Sequence, residues 1–258
     1  LHRVDRRQRQ MCIRDSGYQA RGLSVLAKVA SQYGQVRVIA PDCDKTAASH
    51  SLTLHRPLKI KQGENGFYYV NGTPSDSLHL ALTLFEDFQP DWIFSGINHG
   101  VNMGDDILFS GTVACATQGY LWGISSVAFS LNDKKNQYWD TAEWVAHRIV
   151  ETLMKKPAHE KWLLSVNIPR MLPYQLQGVV CVPLGKRHYD KNNVIVAQDP
   201  CGETIYWIGP AGPPQLSEQK TDFAMEQAGY VTVTPLLTDR TDKVALPAFC
   251  RLFDQISL

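Results

Sequence analysis

The stretch 95–112, SGINHGVNMGDDILFSGT, places Asn98, Asn102, Asp105, Asp106, Ser110 and Thr112 among glycines, directly after the apolar run Trp92-Ile93-Phe94. Amide and carboxylate oxygens of this kind suit a hard divalent cation, and Asn98 and the pair Asp105-Asp106 are candidates for one. The loop closes on Ser110-Gly111-Thr112 before Val113-Ala114-Cys115-Ala116, which reads as a small N-cap and a helix start. Free N–H groups and the positive end of the helix dipole favour a phosphate there. An apolar run that stops at a Gly-rich polar loop reads as a buried strand delivering that loop to the carboxyl edge of a sheet. The chemistry implied is metal-assisted work on a phosphoryl group. A loop of this composition also serves as a plain connection with helix caps, and periodicity alone does not separate the two.

Several stretches in a fixed order decide between them. SGIN, GVNMGDD and SGTV within 95–113, with APDCDKTAASHSLTL (40–54), NGTPSDSL (71–78), WLLSVNIP (162–169), QDPCGETIYWIGP (198–210) and TDFAMEQAGYVTVTPL (221–236), resemble the signature of the SurE family. That resemblance runs from about Gly17 to the C-terminal end. It implies a metal-dependent phosphomonoesterase acting on nucleoside 5′-monophosphates, with 3′-monophosphates and short polyphosphate as further substrates of the class. It also implies one divalent cation per subunit (magnesium, manganese or cobalt) and a homodimer or homotetramer.

Carried over residue by residue, the resemblance makes Asn98 a metal ligand and puts Thr46 where the family usually has a serine ligand. Asn102 and Ser110 correspond to phosphate-contacting residues, and Gly111 and Thr112 add backbone N–H groups from the helix start. The family's first strand ends in Asn-Asp-Asp-Gly, and Arg14-Asp15-Ser16-Gly17 occupy those positions here. Asp15 is therefore the metal anchor, and could also position the attacking water or act as nucleophile. Ser16 stands in a ligand position that calls for a carboxylate. Asp105 and Asp106 read rather as braces of the loop. His99, Asp222 and the loop residues Ser49 and Ser51 read as structural, and His50 as a polar loop residue with a possible substrate-facing role.

The elements that must position these residues alternate. A helix is expected over 22–33, with Gly34 as its stop, then a strand over 36–40. Thr73-Pro74 with Asp76 opens a helix to Phe88. Strands are expected over 92–95, 126–129 and 163–167, with an amphipathic helix over 139–154. The alternation predicts an α/β, doubly wound, mostly parallel Rossmann-like sheet with ligands at the carboxyl ends of its strands. From about 178 the pattern turns β-rich: strands at 179–183, 194–197 and 204–208, and a turn at 199–202. This β-rich arm, about 178–215, and a final helix over 246–256 are the parts the resemblance assigns to subunit pairing.

Composition narrows the classes. In 258 residues, 44% are hydrophobic and the formal net charge is +1, which offers neither a nucleic-acid surface nor a membrane patch. No apolar run reaches the roughly 18 residues of a membrane span. The six cysteines form no CxxC pair; Cys115 and Cys181 read as reduced core residues, and this usage points to a cytoplasmic protein. Residues 1–16, LHRVDRRQRQMCIRDS, are basic and lack strand periodicity or a secretory apolar core. They read as a foreign segment replacing the native first strand, without a well-packed strand of their own; 17–258 read as the SurE-like domain. An alternative function is a nucleotide- or phosphate-binding protein whose turnover is impaired by the degraded aspartate pair. A dinucleotide-dependent oxidoreductase is disfavoured, because no GxGxxG opens a first helix.

Overall fold

The computed structural model describes residues 9–13, 17–155, 160–188, 193–209, 212–215, 219–254 and 256. The chain runs β1 (Arg9–Ile13), α1 (Arg21–Ala30), β2 (Gln35–Pro41), β3 (Ile60–Gln62), β4 (Tyr68–Val70), α2 (Pro74–Leu84), β5 (Trp92–His99) and α3 (Gly111–Leu121). It continues with β6 (Ser125–Leu131), α4 (Trp139–Met154), β7 (Leu163–Ile168), β8 (Gly178–Cys181), β9 (Val194–Gln198) and β10 (Thr204–Ile208). It ends with α5 (Asp222–Gln227), β11 (Tyr230–Pro235) and α6 (Leu246–Phe253). Local chemistry sets several of these boundaries. Thr73 and Asp76 form a reciprocal capping box at α2, each accepting the other's backbone N–H, with Pro74 at the first helical position. Ser110 and Thr221 cap α3 and α5 through their hydroxyl oxygens.

Nine strands form one sheet in the order β3-β4-β2-β1-β5-β6-β7-β11-β8. The run from β4 to β7 is parallel, whereas β3 and β11 pair antiparallel with β4 and β7. Alternate side chains leave each strand on opposite faces. On one face Cys12, Val38, Phe94 and Phe129 pack against Leu23 and Leu26 of α1 and Val145 and Ala146 of α4. On the other, Met11, Ile13, Ile39 and Ile93 pack against Leu78, Ala81 and Leu82 of α2 and Cys115 of α3. The expected doubly wound architecture is present.

The differences from the sequence reading have physical causes. Residues 9–13, expected to form no packed strand, are β1 and lie between β2 and β5 with Met11, Cys12 and Ile13 fully buried. A central parallel strand is covered on both faces, so it needs apolar residues in sequence rather than alternation. The fit is imperfect: Gln10 is buried, its Nε2 reaches the Met154 sulfur at 3.8 Å, and its Oε1 has no partner. α2 ends at Leu84, short of Phe88, where Phe85 leaves helical geometry. The edge hairpin β3–β4 was not expected, although Asn65-Gly66, with Gly66 at φ +78°, is a turn signal. β8 joins the main sheet by pairing parallel with β11, so only β9 and β10 form a separate antiparallel pair. Cys181 is exposed on β8 instead of sitting in the core, whereas Cys115 is buried as read. The final helix ends at Phe253.

One cluster holds the loop between β5 and α3 in place. Gly104 has φ +51°, and a Cβ there would run into the Phe223 ring, so the position requires glycine. Its N–H donates to Asp222 Oδ2 at 2.7 Å, while Gly185 N–H and Phe223 N–H donate to Oδ1 at 2.7 and 2.8 Å. Burial pushes the Asp222 carboxyl up from its ordinary pKa, against the opposing pull of these three donors. Alongside, Arg187 donates its backbone N–H to Asp105 at 3.0 Å and its Nε to Asp106 Oδ2 at 2.9 Å, and its guanidinium lies 4.6 Å from the Phe223 ring centre. Asp105 and Asp106 thus brace the loop, as expected from sequence.

Asp222→Asn tests this clasp. An amide of the same shape must turn its NH2 towards at least one backbone N–H, leaving a buried donor unsatisfied. The expected loss is about 1–3 kcal/mol in urea-unfolding free energy. A parental unfolding curve would show that the carboxylate carries no part of the loop's stability.

Candidate active site

Described residues that follow the parallel strands β1, β2, β5 and β6 at their carboxyl ends line one cavity of about 680 Å³. This is where an open parallel sheet places its ligands. Of the residues singled out in the sequence, Thr46, Asn98, Asn102 and Ser110 all line it. Gly111 and Thr112 are buried in the first turn of α3, behind Ser110. Asp15 and Ser16 lie outside the described residues.

Asn98 reaches the cavity because β5 contains an irregularity. Ser95 pairs with Ala128 and Asn98 with Ser130, so β5 spends one more residue than β6 over this stretch. An inserted residue bends a strand and re-aims the side chains beyond it. Gly96 sits in the irregularity at φ +132°, with the Phe129 carbonyl where a Cβ would stand. The Asn98 Nδ2 donates to the Gly100 carbonyl at 2.9 Å, which assigns Oδ1 as the acceptor end of the amide. Thr46 is oriented by Asp44, whose Oδ1 accepts both the Thr46 N–H at 2.8 Å and its hydroxyl at 2.6 Å. The Thr46 oxygen keeps its lone pairs, and the Asp44 carboxylate faces the same cavity.

Asn102 is fixed from behind by β6 and β7. Its N–H donates to Asn167 Oδ1 at 2.8 Å, its carbonyl accepts from Asn167 Nδ2 at 3.0 Å, and its own Nδ2 donates to Ser130 Oγ at 2.7 Å. The second hydrogen of that amide remains to be donated. Ser110 Oγ accepts the Val113 N–H at 3.1 Å, so its hydroxyl hydrogen also remains. The N–H groups of Gly111 and Thr112 belong to the helix start, where no carbonyl one turn earlier exists to receive them.

The opposite wall holds residues the sequence reading missed: Arg21, Asn136 and Trp139. Asp133 shapes this wall by accepting the N–H groups of Lys135, Gln137 and Tyr138 at 2.8, 2.5 and 2.9 Å. Burial raises the Asp133 carboxyl, but these donors outweigh it and the net shift is downward. Asp44, Asn167 and Arg187 were likewise missed as partners. Asp44 and Asn167 stood inside quoted stretches, but their contacts are set by the fold. His99 lines the cavity with its buried Nε2 unpartnered among the described residues, and its ring lies 6.1 Å from that of Trp139. His50 is engaged by Gln118 Oε1 at 2.6 Å, and Ser49 and Ser51 bond backbone carbonyls, as loop residues do.

No group of three or more His, Cys, Asp or Glu side chains converges among the described residues. A cation in this cavity would therefore draw on mixed oxygen donors: the Asp44 carboxylate, the Thr46 hydroxyl and the Asn98 amide. Such a set fits a hard divalent ion and not a thiophilic one.

Comparison with known proteins agrees with this geometry. Residues 11–191 match the family described as survival protein SurE. A 5′-nucleotidase SurE of Neisseria meningitidis serogroup A is 50% identical over 227 residues, spanning 88% of this chain and 91% of that protein. A 5′-nucleotidase SurE of Chromobacterium violaceum is 48% identical over 227 residues, with 88% and 92% covered. The crystal structure of the SurE protein from Aquifex aeolicus superposes with a TM-score of 0.82 at 35% identity, covering 95% of this chain and 99% of that one. With a family match over most of its length and relatives at about half identity, the chain belongs to the SurE family.

Proposed function

We propose that this chain is a metal-dependent phosphomonoesterase that hydrolyses nucleoside 5′-monophosphates to nucleoside and phosphate. The observation that carries the reading is the convergence of Thr46, Asn98, Asn102 and Ser110 on one cavity at the start of α3. Relatives named 5′-nucleotidase point to the same hydrolase class. Activity on 3′-monophosphates and short polyphosphate belongs to the same proposal, since a site that grips the phosphoryl group accepts more than one ester.

The oxygen donors fit magnesium, manganese or cobalt, with Asp44, Thr46, Asn98 and, by its place in the family motif, Asp15 as the residues that would hold the ion. The chemistry such an ion would supply when bound is polarisation of phosphoryl oxygens and acidification of water. The chain's own residues do the rest. The Asn102 amide, the Ser110 hydroxyl and the N–H groups of Gly111 and Thr112 donate to the phosphate and meet charge as it develops on its oxygens. Asn167 and Asp222 hold those donors still, so little reorganisation accompanies the reaction.

Turnover should vanish in EDTA and return with magnesium, manganese or cobalt. Asn98→Ala should lose most kcat/KM at saturating metal while its unfolding curve stays close to the parental one. Full activity after exhaustive chelation would remove the metal from the mechanism, and a near-parental Asn98→Ala would remove that ligand.

A second reading, phosphate or nucleotide binding with impaired turnover, draws on Ser16, which stands where the family motif carries an aspartate. A hydroxyl contributes far less charge to a cation than a carboxylate. Ser16→Asp should therefore raise kcat by orders of magnitude in a phosphate-release assay with manganese. Equal rates would mean that serine suffices or that this position does not anchor the ion.

Self-association into a homodimer or homotetramer is part of the proposal. α6 has no buried residue, and Leu246, Phe249, Leu252 and Phe253 are all exposed. The β9–β10 pair exposes Val194, Ile195, Val196, Tyr206, Trp207 and Ile208. Apolar surface on this scale marks an interaction site. No helix among the described residues is long and apolar enough to cross a membrane, and a cytoplasmic setting is part of the same reading. Light scattering should give two or four times the 29.0 kDa chain mass; a monomer at micromolar concentration would count against pairing.

A further inference from the structure

Among the exposed large apolar side chains of the described residues, Phe109 alone lines the cavity, and it is 56% exposed. It directly precedes the Ser110 cap in the chain, and both residues line the cavity. Its backbone is held from two sides. The Phe109 N–H donates to the Asp106 carbonyl at 3.1 Å, and the Phe109 carbonyl accepts the Ser49 N–H at 3.2 Å. Ser49 also donates its hydroxyl to the neighbouring Leu108 carbonyl at 2.7 Å. An exposed aromatic side chain in the lining of an open cavity, on a pinned backbone, can receive a flat partner at low ordering cost. Trp139, another aromatic ring in the cavity wall, is buried and committed, with the Arg21 guanidinium 5.8 Å from its ring centre and His99 beside it.

The cavity volume also leaves room to fill. About 680 Å³ far exceeds a phosphate group, and the donors assigned to the phosphate, Asn102, Ser110 and the start of α3, occupy only part of the lining. Ligand sites pair a few polar groups that fix one end with apolar surface that takes the remainder.

We propose that Phe109 is the platform on which the base of a bound mononucleotide stacks, and that it makes the site prefer nucleotides over base-free phosphate esters. This rests on the reading of the cavity as a mononucleotide phosphomonoesterase site. Stacking on a ring face reads no hydrogen-bond pattern, so purines and pyrimidines are both accepted, with purines favoured by their larger area.

The test compares parental protein, Phe109→Ala, Phe109→Leu and Phe109→Trp on AMP and on ribose 5-phosphate at saturating manganese. Base–aromatic stacking predicts that KM for AMP rises about 5- to 100-fold in Phe109→Ala, with a smaller rise in Phe109→Leu and a parental or lower value in Phe109→Trp. Ribose 5-phosphate kinetics should stay within about twofold throughout, which also reports that the variants are folded. Equal losses on both substrates, or an unchanged KM for AMP, overturn the platform. If the parental protein hydrolyses neither ester, the phosphomonoesterase reading itself fails. The platform is then judged by calorimetry with the non-hydrolysable phosphonate analogue of AMP against ribose 5-phosphate. The affinity ratio must drop in Phe109→Ala, and an unchanged ratio overturns it.

Discussion

The Asp222 carboxylate gathers three backbone N–H groups from three separate segments, and the geometry of the site depends on that junction. The loop from β5 to α3 lies partly buried, and its only regular piece before Gly111 is the short 3-10 turn Gly104–Leu108. Backbone donors that this turn and the neighbouring carbonyls do not satisfy must be met by side chains, because an unmet buried N–H costs as much as a lost hydrogen bond. Asp222 meets Gly104, Asn167 meets Asn102 and Ser110 meets Val113. Each of these partners sits in a regular element or at its cap, so the loop inherits the rigidity of the sheet. Arg187 offsets the accumulation of carboxylates by pairing with Asp106, whose charge otherwise adds to the upward push on Asp222.

The sheet contributes through direction as much as through stability. Parallel strands end on one edge, and residues that follow β1, β2, β5 and β6 line the cavity there. The irregularity at 95–98 matters because side chains alternate with period two, so one extra residue exchanges which face the subsequent side chains address. Without it, Asn98 and His99 would exchange faces. Gly96 makes this possible by letting the β6 backbone approach where a side chain would stand.

How much of this was legible in the sequence depends on the range of the interactions. α4 was read with the bounds it has, because sixteen residues of amphipathic spacing report themselves. The capping box at Thr73 and Asp76 was equally visible, being local. β1 was obscured by its basic flanks and by the lack of alternation that full burial permits, and β3 and β4 are too short to show a period. β8 was assigned to an arm because its partner β11 lies about fifty residues downstream, a pairing no local pattern encodes. In the site, the motif residues Thr46, Asn98, Asn102 and Ser110 were legible and share one cavity. Asp44, Asn167, Arg187 and the three-way contact of Asp222 were not, since each acts through a partner supplied by the fold.

Charge explains why these features belong together. A phosphate monoester near neutral pH carries about −1.5 to −2 charges, and the cavity that would receive it already contains the Asp44 carboxylate. Arg21 lines the same cavity from the other side and the start of α3 adds partial positive charge, but the helix contribution amounts to about half a charge and fades within a turn. Neutral donors such as Asn102 and Ser110 orient a dianion without compensating it. A divalent ion held by Asp44, Thr46 and Asn98 would reverse the sign of that wall, and phosphate and ion would then each strengthen the binding of the other by the same factor. On this account Asp44 is tolerable in an anion site because its charge is directed at a cation, which also explains why its remaining contacts, both to Thr46, orient a neighbouring donor to the same ion.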